Sequence, residues 1–571
     1  MRATPFLAAG LALLATATAR AQELSPDVIY YNAKVVTVNE AFDIAEAVAI
    51  EGDRIAAVGN DQEVLAHAGR ATRRVDLAGK TILPGFYDNH VHVGGELMEW
   101  RGGLISPASE WLRGANEVPE LLTALRSHAA TVPEGDWIRG AIPREDWPNQ
   151  KIPTRWQLDE AAPNHPVALT RGPHTVILNS RAFEITGIDR DTPDPPGGWI
   201  IRDEAGEPSG RVLEAAKRLV DTHLPERNSE ERNVIEDWRT FLGELRSIGV
   251  TSVNWTGVRP AQLGAVQELV ERYGDELPRL TVQIRLSPGY DSYDDPEIGA
   301  RDAIQEIEGL GFRTGFGNDR LKIGAIKMSI DGGLSAPVLW TTQPYVGRPD
   351  FFGVQRIPDH TFYAVAKRAH DLGWQLGIHT IGDGAAVMVV DQIERILREN
   401  PREDHRHYLH HVTIPPPDET LRKMGRLEMM VATHPSWTTA LGGFADEVAE
   451  GERLERQNPS RSLLDHGIRL AYGSDAAPYG PLFSIWNAVT RRGWDGRVYG
   501  PDEAVSVEEA IRFHTIGTAE LTFEEEIKGS IEVGKLADMV ILGADPLTVE
   551  PEELRTIPVE LTIIGGREFQ P

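Results

Sequence analysis

Phe86-Tyr-Asp-Asn-His-Val-His92 is the stretch that decides how this 571-residue chain is read. It opens apolar and closes on two histidines two positions apart. Side chains alternate along a β-strand, so His90 and His92 point to the same side and converge on one divalent metal. Taken alone the pair is a weak signal, because a chain with 17 histidines contains such a pair by chance. It gains force from further strand-like runs that end on, or contain, metal-binding side chains. They are Lys327 in Ile-Lys-Met-Ser-Ile-Asp-Gly, His379 in Ile-His-Thr-Ile-Gly-Asp, His411 in Leu-His-His-Val and Asp475 in Tyr-Gly-Ser-Asp. A barrel of parallel strands gathers its strand ends at one mouth, where residues hundreds of positions apart can meet.

Working outward, eight runs read as strands: Phe86–His92, Val250–Trp255, Leu280–Leu286, Ile323–Ile330, Gln375–His379, His407–Val412, Glu428–Ala432 and Ile468–Gly473. Helical stretches such as Asn233–Arg246 and Phe362–Leu372 lie between them. Alternation of this kind predicts an α/β protein built on a (β/α)8 TIM barrel. The gap after the first strand, about 94–229, is too long for one helix and holds Trp100, Trp111, Trp137, Trp147, Trp156 and Trp199. It is read as an insertion over the barrel mouth, able to carry substrate contacts or to act as a structural extension with its own small core. Short apolar runs at both chain ends, Val28 to Val58 and Ala537 to Ile564, read as β strands.

Composition bounds the partners and the chemistry. With 41% hydrophobic and 25% charged residues the chain is an ordinary globular one, large enough for a barrel and a second module. A net charge of −28 repels phosphate backbones and argues against nucleic-acid partners. The absence of cysteine excludes disulfides and thiolate ligands, leaving His, carboxylate or a modified Lys for any metal. Arg2, an apolar run from Phe6 to Ala19 and Ala19-Arg20-Ala21 read as a cleaved signal peptide over residues 1–21. The run is shorter than the ~20 residues of a membrane span. The expected address is therefore secreted or periplasmic, with no membrane association after cleavage.

The motifs together resemble the amidohydrolase superfamily, in the branch similar to N-substituted formamide deformylase and YtcJ-like metal-dependent hydrolases. The pattern Pro-Gly-x-x-Asp-x-His-x-His is met from Pro84 to His92, and Lys-x-x-x-Asp-Gly by Lys327, Asp331 and Gly332. His-x-x-Gly-Asp is met by His379, Gly382 and Asp383, and Gly-Ser-Asp by Gly473 to Asp475. The closing pattern runs from Gly529 to Asp538. Two departures stand out. His410-His411 replaces the family's Glu-His, and Gly172-Pro173-His174 replaces its Asp-Gly-His.

The resemblance implies that the chain ends, 22–80 plus 525–571, form a composite β-sandwich flanking a barrel over 81–524. It implies one metal on His90, His92 and Asp475 and a second on His379 and His411. Lys327 would bridge them as a carbon dioxide-derived carbamate. Zinc is the first expectation, as one or two ions, with Mn, Fe or Co also compatible. Asp475 is the expected general base and then acid. His174 and His434 are candidate substrate contacts with equally available structural readings. Asp383 is read as a helix cap or a positioner of His379, and Gly332, Gly333 and Gly382 as tight-turn residues. The function expected is hydrolysis of a non-peptide C–N bond, amide or cyclic amide, in a small-molecule substrate. An esterase or lactonase on the same site and a non-catalytic periplasmic binding protein are the rivals. Oligomeric state is open, a homo-oligomer included.

Overall fold

In a computed structural model, the protein is described over residues 26–94, 97–100, 103–105, 109–115, 117–142, 152–172, 174–195, 197–225, 233–286, 296–334, 338–475 and 478–571. The leader at 1–21, Trp147 and Pro173 lie outside the described residues.

The eight strand-like runs, those bearing the metal-binding residues among them, all become neighbouring strands. In chain order they are β1 (Phe86–Val91), β2 (Val250–Val258), β3 (Arg279–Arg285), β4 (Leu321–Ser329), β5 (Leu376–Thr380), β6 (Tyr408–His411), β7 (Met430–Thr433) and β8 (Arg469–Tyr472). They pair in sequence order, and every pairing is parallel. Just past the end of β8, Asp475 bridges in parallel to Val91 of β1, which brings the two edges of the sheet together. The result is a nearly closed barrel, as the βα alternation predicts. All the strand expectations fall within a few residues of these boundaries.

Amphipathic helices cover the outside. In the helix Val234–Ser247, Ile235, Trp238, Phe241, Leu242 and Leu245 are buried. That i, i+3, i+4 spacing gives one apolar stripe facing the sheet. Each such large side chain contributes about 1.5–3 kcal/mol when removed from water.

Strands from the two chain ends share a sheet. Met539–Leu542 pairs with Thr81–Pro84 on one side and Val559–Ile564 on the other. Lys34–Val36 runs parallel to Thr81–Pro84. A four-stranded sheet around Val28–Tyr31 packs beside it through Tyr30, Val48 and Ile50 against Ile82, Met539 and Ile563.

The segment after β1 builds a five-stranded sheet of its own. Its helices bury Leu121, Leu125 and Leu158 against Ile138, Val167 and Leu169. The opposite face packs Val176, Leu178, Phe183 and Val212. Trp111 and Trp137 are used in this internal packing, whereas Trp156 is exposed. Trp199 meets Phe351 edge-on with ring centroids 6.3 Å apart. Among the described residues no helix is long and apolar enough to cross a membrane.

Candidate metal centre

The mouth of the barrel is filled with imidazoles because β1, β5, β6 and β7 each end on, or one residue short of or beyond, a histidine. His90 lies in β1 and His92 just past it, His379 in β5, His411 ends β6, and His434 follows β7. Nε2 of His90 lies 3.4 Å from Nε2 of His92. The Asp475 carboxylate reaches both, at 3.3 Å and 3.2 Å. The donor atoms of His90, His92 and Asp475 thus fall within 4.8 Å of one another. The rings of His379 and His411 sit 4.4 Å apart. Lys327, buried in β4, makes its charge felt at His90, His379, His410 and His411. These six sequence-selected residues share one cavity mouth, although they span 386 positions of the chain.

The backbone is bent to hold them. His411, Val412 and Asp475 adopt positive φ of 74°, 53° and 61°. Non-glycine residues there store about 1–3 kcal/mol of strain each, and such residues cluster where a side chain must be aimed. Gly473 lets β8 approach β1, since a Cβ there would meet the His90 nitrogen at 2.6 Å. Asp88 locks the same junction. Its carboxylate accepts from the backbone N–H groups of His90 and Ser474, at 3.2 Å and 2.9 Å, and from the Ser474 hydroxyl at 2.5 Å.

Burial sets the protonation states. Desolvation holds His90, His379, His410 and His411 well below the usual imidazole range, helped by the neighbouring Lys327 charge and other imidazoles. His434 is pushed down to about 4, again mainly by burial. Neutral imidazole is the form that ligates metals. Burial raises the Asp475 carboxyl, but its hydrogen bond to His92 and the positive groups around it outweigh that, leaving it below the ordinary carboxylate range.

Both ring nitrogens of His411, Nε2 of His434 and Nε2 of His379 are buried without a hydrogen-bond partner among the described residues. His379 Nε2 comes within 3.5 Å of Asp331 but does not hydrogen-bond to it. Buried polar atoms are almost always satisfied, so orphans concentrated at one spot point to a missing ligand. Neutral nitrogen donors beside an ionised carboxylate are the donor set a divalent transition metal takes. The residues present therefore fit a metal.

Several side chains that reading by motif leaves out prove important here. His410, which stands where the family carries a carboxylate, has Nδ1 2.8 Å from His90 Nδ1 and Nε2 3.0 Å from the Gln283 side-chain oxygen. Gln283 is one of several polar residues in β3 and nothing in the sequence singled it out. Glu214 and Arg356 carried no sequence signal.

His174 is not among the converging imidazoles. Its Nδ1 is 2.8 Å from Glu214, whose other oxygen accepts from Arg356. Burial raises the Glu214 carboxyl, but Arg356 and His174 overcome it and bring it down to about 2. The His174 ring lies flat against Gly333, where a Cβ would meet it at 2.5 Å. The insertion is thereby pinned to the end of β4.

Two structural expectations are corrected. Asp383 neither caps its helix, whose N-cap is Gly382, nor touches His379; it binds Thr342 and Arg453 and so ties two loops together. Asp331 takes the neighbouring role, accepting from the backbone N–H groups of Trp340, Ile381 and Gly382. Gly332, Gly333 and Gly382 do not adopt positive φ; they are small because Val338, His174 and Trp340 pack where a Cβ would be.

Comparison with known proteins agrees with this geometry. Residues 73–569 match the profile described as "Amidohydrolase family". The chain is 31% identical over 550 residues to N-substituted formamide deformylase of Arthrobacter pascens, covering 95% of this chain and 97% of that one. It is 27% identical over 556 residues to the putative amidohydrolase YtcJ of Bacillus subtilis, covering 94% and 98%. An uncharacterized metal-dependent hydrolase from Pyrococcus horikoshii superposes with a TM-score of 0.64 at 22% identity, over 92% of this chain and 99% of that one.

Proposed function

The chain belongs to the amidohydrolase family, and on that premise we propose that it hydrolyses a non-peptide C–N bond, an amide or cyclic amide, in a small molecule. The observation that carries this reading is the meeting of His90, His92 and Asp475 within 4.8 Å, beside imidazole nitrogens that have no protein partner.

His90, His92 and Asp475 would hold one divalent ion, and His379 and His411 a second, with Lys327 as a carbamate contributing oxygen between them. Zinc suits nitrogen and oxygen donors of this kind. When bound, such an ion brings the pKa of a coordinated water towards about 7 and polarises a carbonyl oxygen. Asp475 is ionised and therefore able to take the proton of the attacking water. It then returns that proton to the leaving nitrogen, which departs as a neutral amine. His174, tethered to Glu214 at the edge of the mouth, is the substrate contact we assign to the insertion. The amino-terminal leader makes export the expected fate, checked by whether the mature protein begins at Gln22.

The test pairs metal analysis with a panel of acyl amides, cyclic amides and matched esters on the purified protein, Lys327→Ala and Asp475→Asn. Lys327→Ala should lose metal. Asp475→Asn should lose turnover by about 10²–10⁴-fold while keeping more of its metal. A Lys327→Ala protein with full metal and rate removes the carbamate, and ester turnover without amide turnover replaces the substrate class.

A further inference from the structure

One imidazole in the mouth has no role in the reading above. His434 follows β7 in Ala-Thr-His-Pro and is 1% exposed. Its Nδ1 lies 2.9 Å from the carbonyl oxygen of Gly473. A carbonyl only accepts, so the proton sits on Nδ1 and Nε2 keeps its lone pair. That Nε2 is buried and has no hydrogen-bond partner. Leaving it so is unfavourable unless something arrives to use it.

What Nε2 can share is defined by its neighbours. The ring of His434 is 5.0 Å from that of His90 and 4.8 Å from that of His411. One nitrogen from each of the three falls within 4.8 Å of the others, and all three residues are buried. His411 has no hydrogen bond on either nitrogen. His90 is prepared by a relay of protons. The Thr256 hydroxyl donates to the Asn254 carbonyl and accepts from Gln283 Nε2, so Gln283 turns its oxygen to His410. His410 donates from Nε2 and accepts at Nδ1 from His90, which leaves the His90 lone pair on Nε2.

We propose that His434 is a metal ligand of this chain, completing with His90 and His411 an all-imidazole set that overlaps the His90–His92–Asp475 set through His90. The inference rests on the metal-site reading above and extends it. Three neutral imidazoles with an open position suit zinc, cobalt, nickel or copper and disfavour magnesium or calcium. His90 has a single free lone pair, so one ion occupying either set withdraws it from the other.

Cobalt(II) is the probe, because its visible absorption and X-ray absorption fine structure report the number of bound imidazoles. The parent for the test is the His92→Asn/His379→Asn/Asp475→Asn protein, in which the oxygen-containing set and the His379–His411 pair, which shares His411 with the proposed set, are both removed. It should retain about one equivalent of cobalt with three imidazoles in the shell. Adding His434→Gln should weaken binding by at least about tenfold and change the spectrum. Unchanged affinity and spectrum overturn the proposal. If the His434 variant does not fold, the imidazole count in the parent decides, and two or fewer overturns the proposal. A wild-type protein that binds no cobalt overturns the metal-site reading as well, whereas metal bound independently of His434 overturns this inference alone.

Discussion

The two ends of the barrel bury polar groups in opposite ways. At the end opposite the mouth, two buried ion pairs are fully matched. Arg279 grips Asp538 with two hydrogen bonds, at 2.6 Å and 3.0 Å, and both side chains are almost fully buried. Glu524 accepts from Tyr87 and Thr522 and pairs with Lys528 at 3.1 Å, while the Lys528 ammonium sits 4.3 Å over the Tyr87 ring. At the mouth, imidazole nitrogens of His379, His411 and His434 are equally buried and have no such partner. Burial is the same at both ends; satisfaction is not. A complete network is a structural joint, and an incomplete one is a place where a ligand belongs.

The comparison can be broken most forcefully at the joint. Asp538→Ala leaves Arg279 buried without its anion, and should lower the unfolding free energy by about 3–5 kcal/mol. Urea denaturation with metal analysis of the folded fraction checks this, and metal per folded molecule should not change. Loss of metal would mean that the two ends are not independent.

Glu214→Gln tests the junction between insertion and barrel. Its carboxyl falls from 4.5 to about 2 in the folded state. A lowered carboxylate stabilises fully above its unfolded pKa, and the contribution disappears as pH drops through the folded value. The variant should therefore be about 3 kcal/mol less stable at neutral pH. The gap to the wild type should close between about pH 4.5 and 2. A constant gap across that range would assign the loss to packing instead.

His410→Ala removes the acceptor that fixes the His90 proton. Metal affinity should fall about 10–100-fold, read by titration with a competing chelator, with little change in the unfolding midpoint of the metal-free protein. An effect on stability alone would make His410 a packing residue.

The last test concerns pH at the mouth. Burial holds His90, His379, His410 and His411 well below the usual imidazole range, with His434 at about 4. Between that value and the ordinary 6.5, the unfolded chain binds protons that the folded mouth refuses. Stability of the metal-free protein must then rise with pH across this window, by up to about 1.4 kcal/mol per pH unit for each imidazole. Bound metal should steepen the dependence, because protons compete for the same nitrogens. A flat profile from pH 4.5 to 6.5 would show that the folded mouth accepts protons after all.

Much of this was readable from local order. The barrel strands announced themselves as apolar runs of five to eight residues, and the placement of His90, His379, His411 and Asp475 at or just past their ends followed from the parallel-strand rule. The misreadings were of another kind. Asp383 and Asp331 are both aspartates that follow barrel strands within a few residues, and only their partners distinguish a side-chain tie from a backbone cradle. Gly333 and Gly382 looked like turn residues, yet each is small because another residue, His174 or Trp340, comes to lie against it.

The sequence by itself determined the order of strands and helices, the chemical types available to a metal, and the exclusion of thiolate ligands. Those properties depend on periodicity and composition, which are local. Only the tertiary structure decided that His410 relays between His90 and Gln283, that Glu214 binds His174 and Arg356, and that His434 keeps a lone pair facing His90 and His411. Which nitrogen holds a proton is set by whatever partner lies within about 3 Å, and in this chain those partners come from strands as many as 320 positions away.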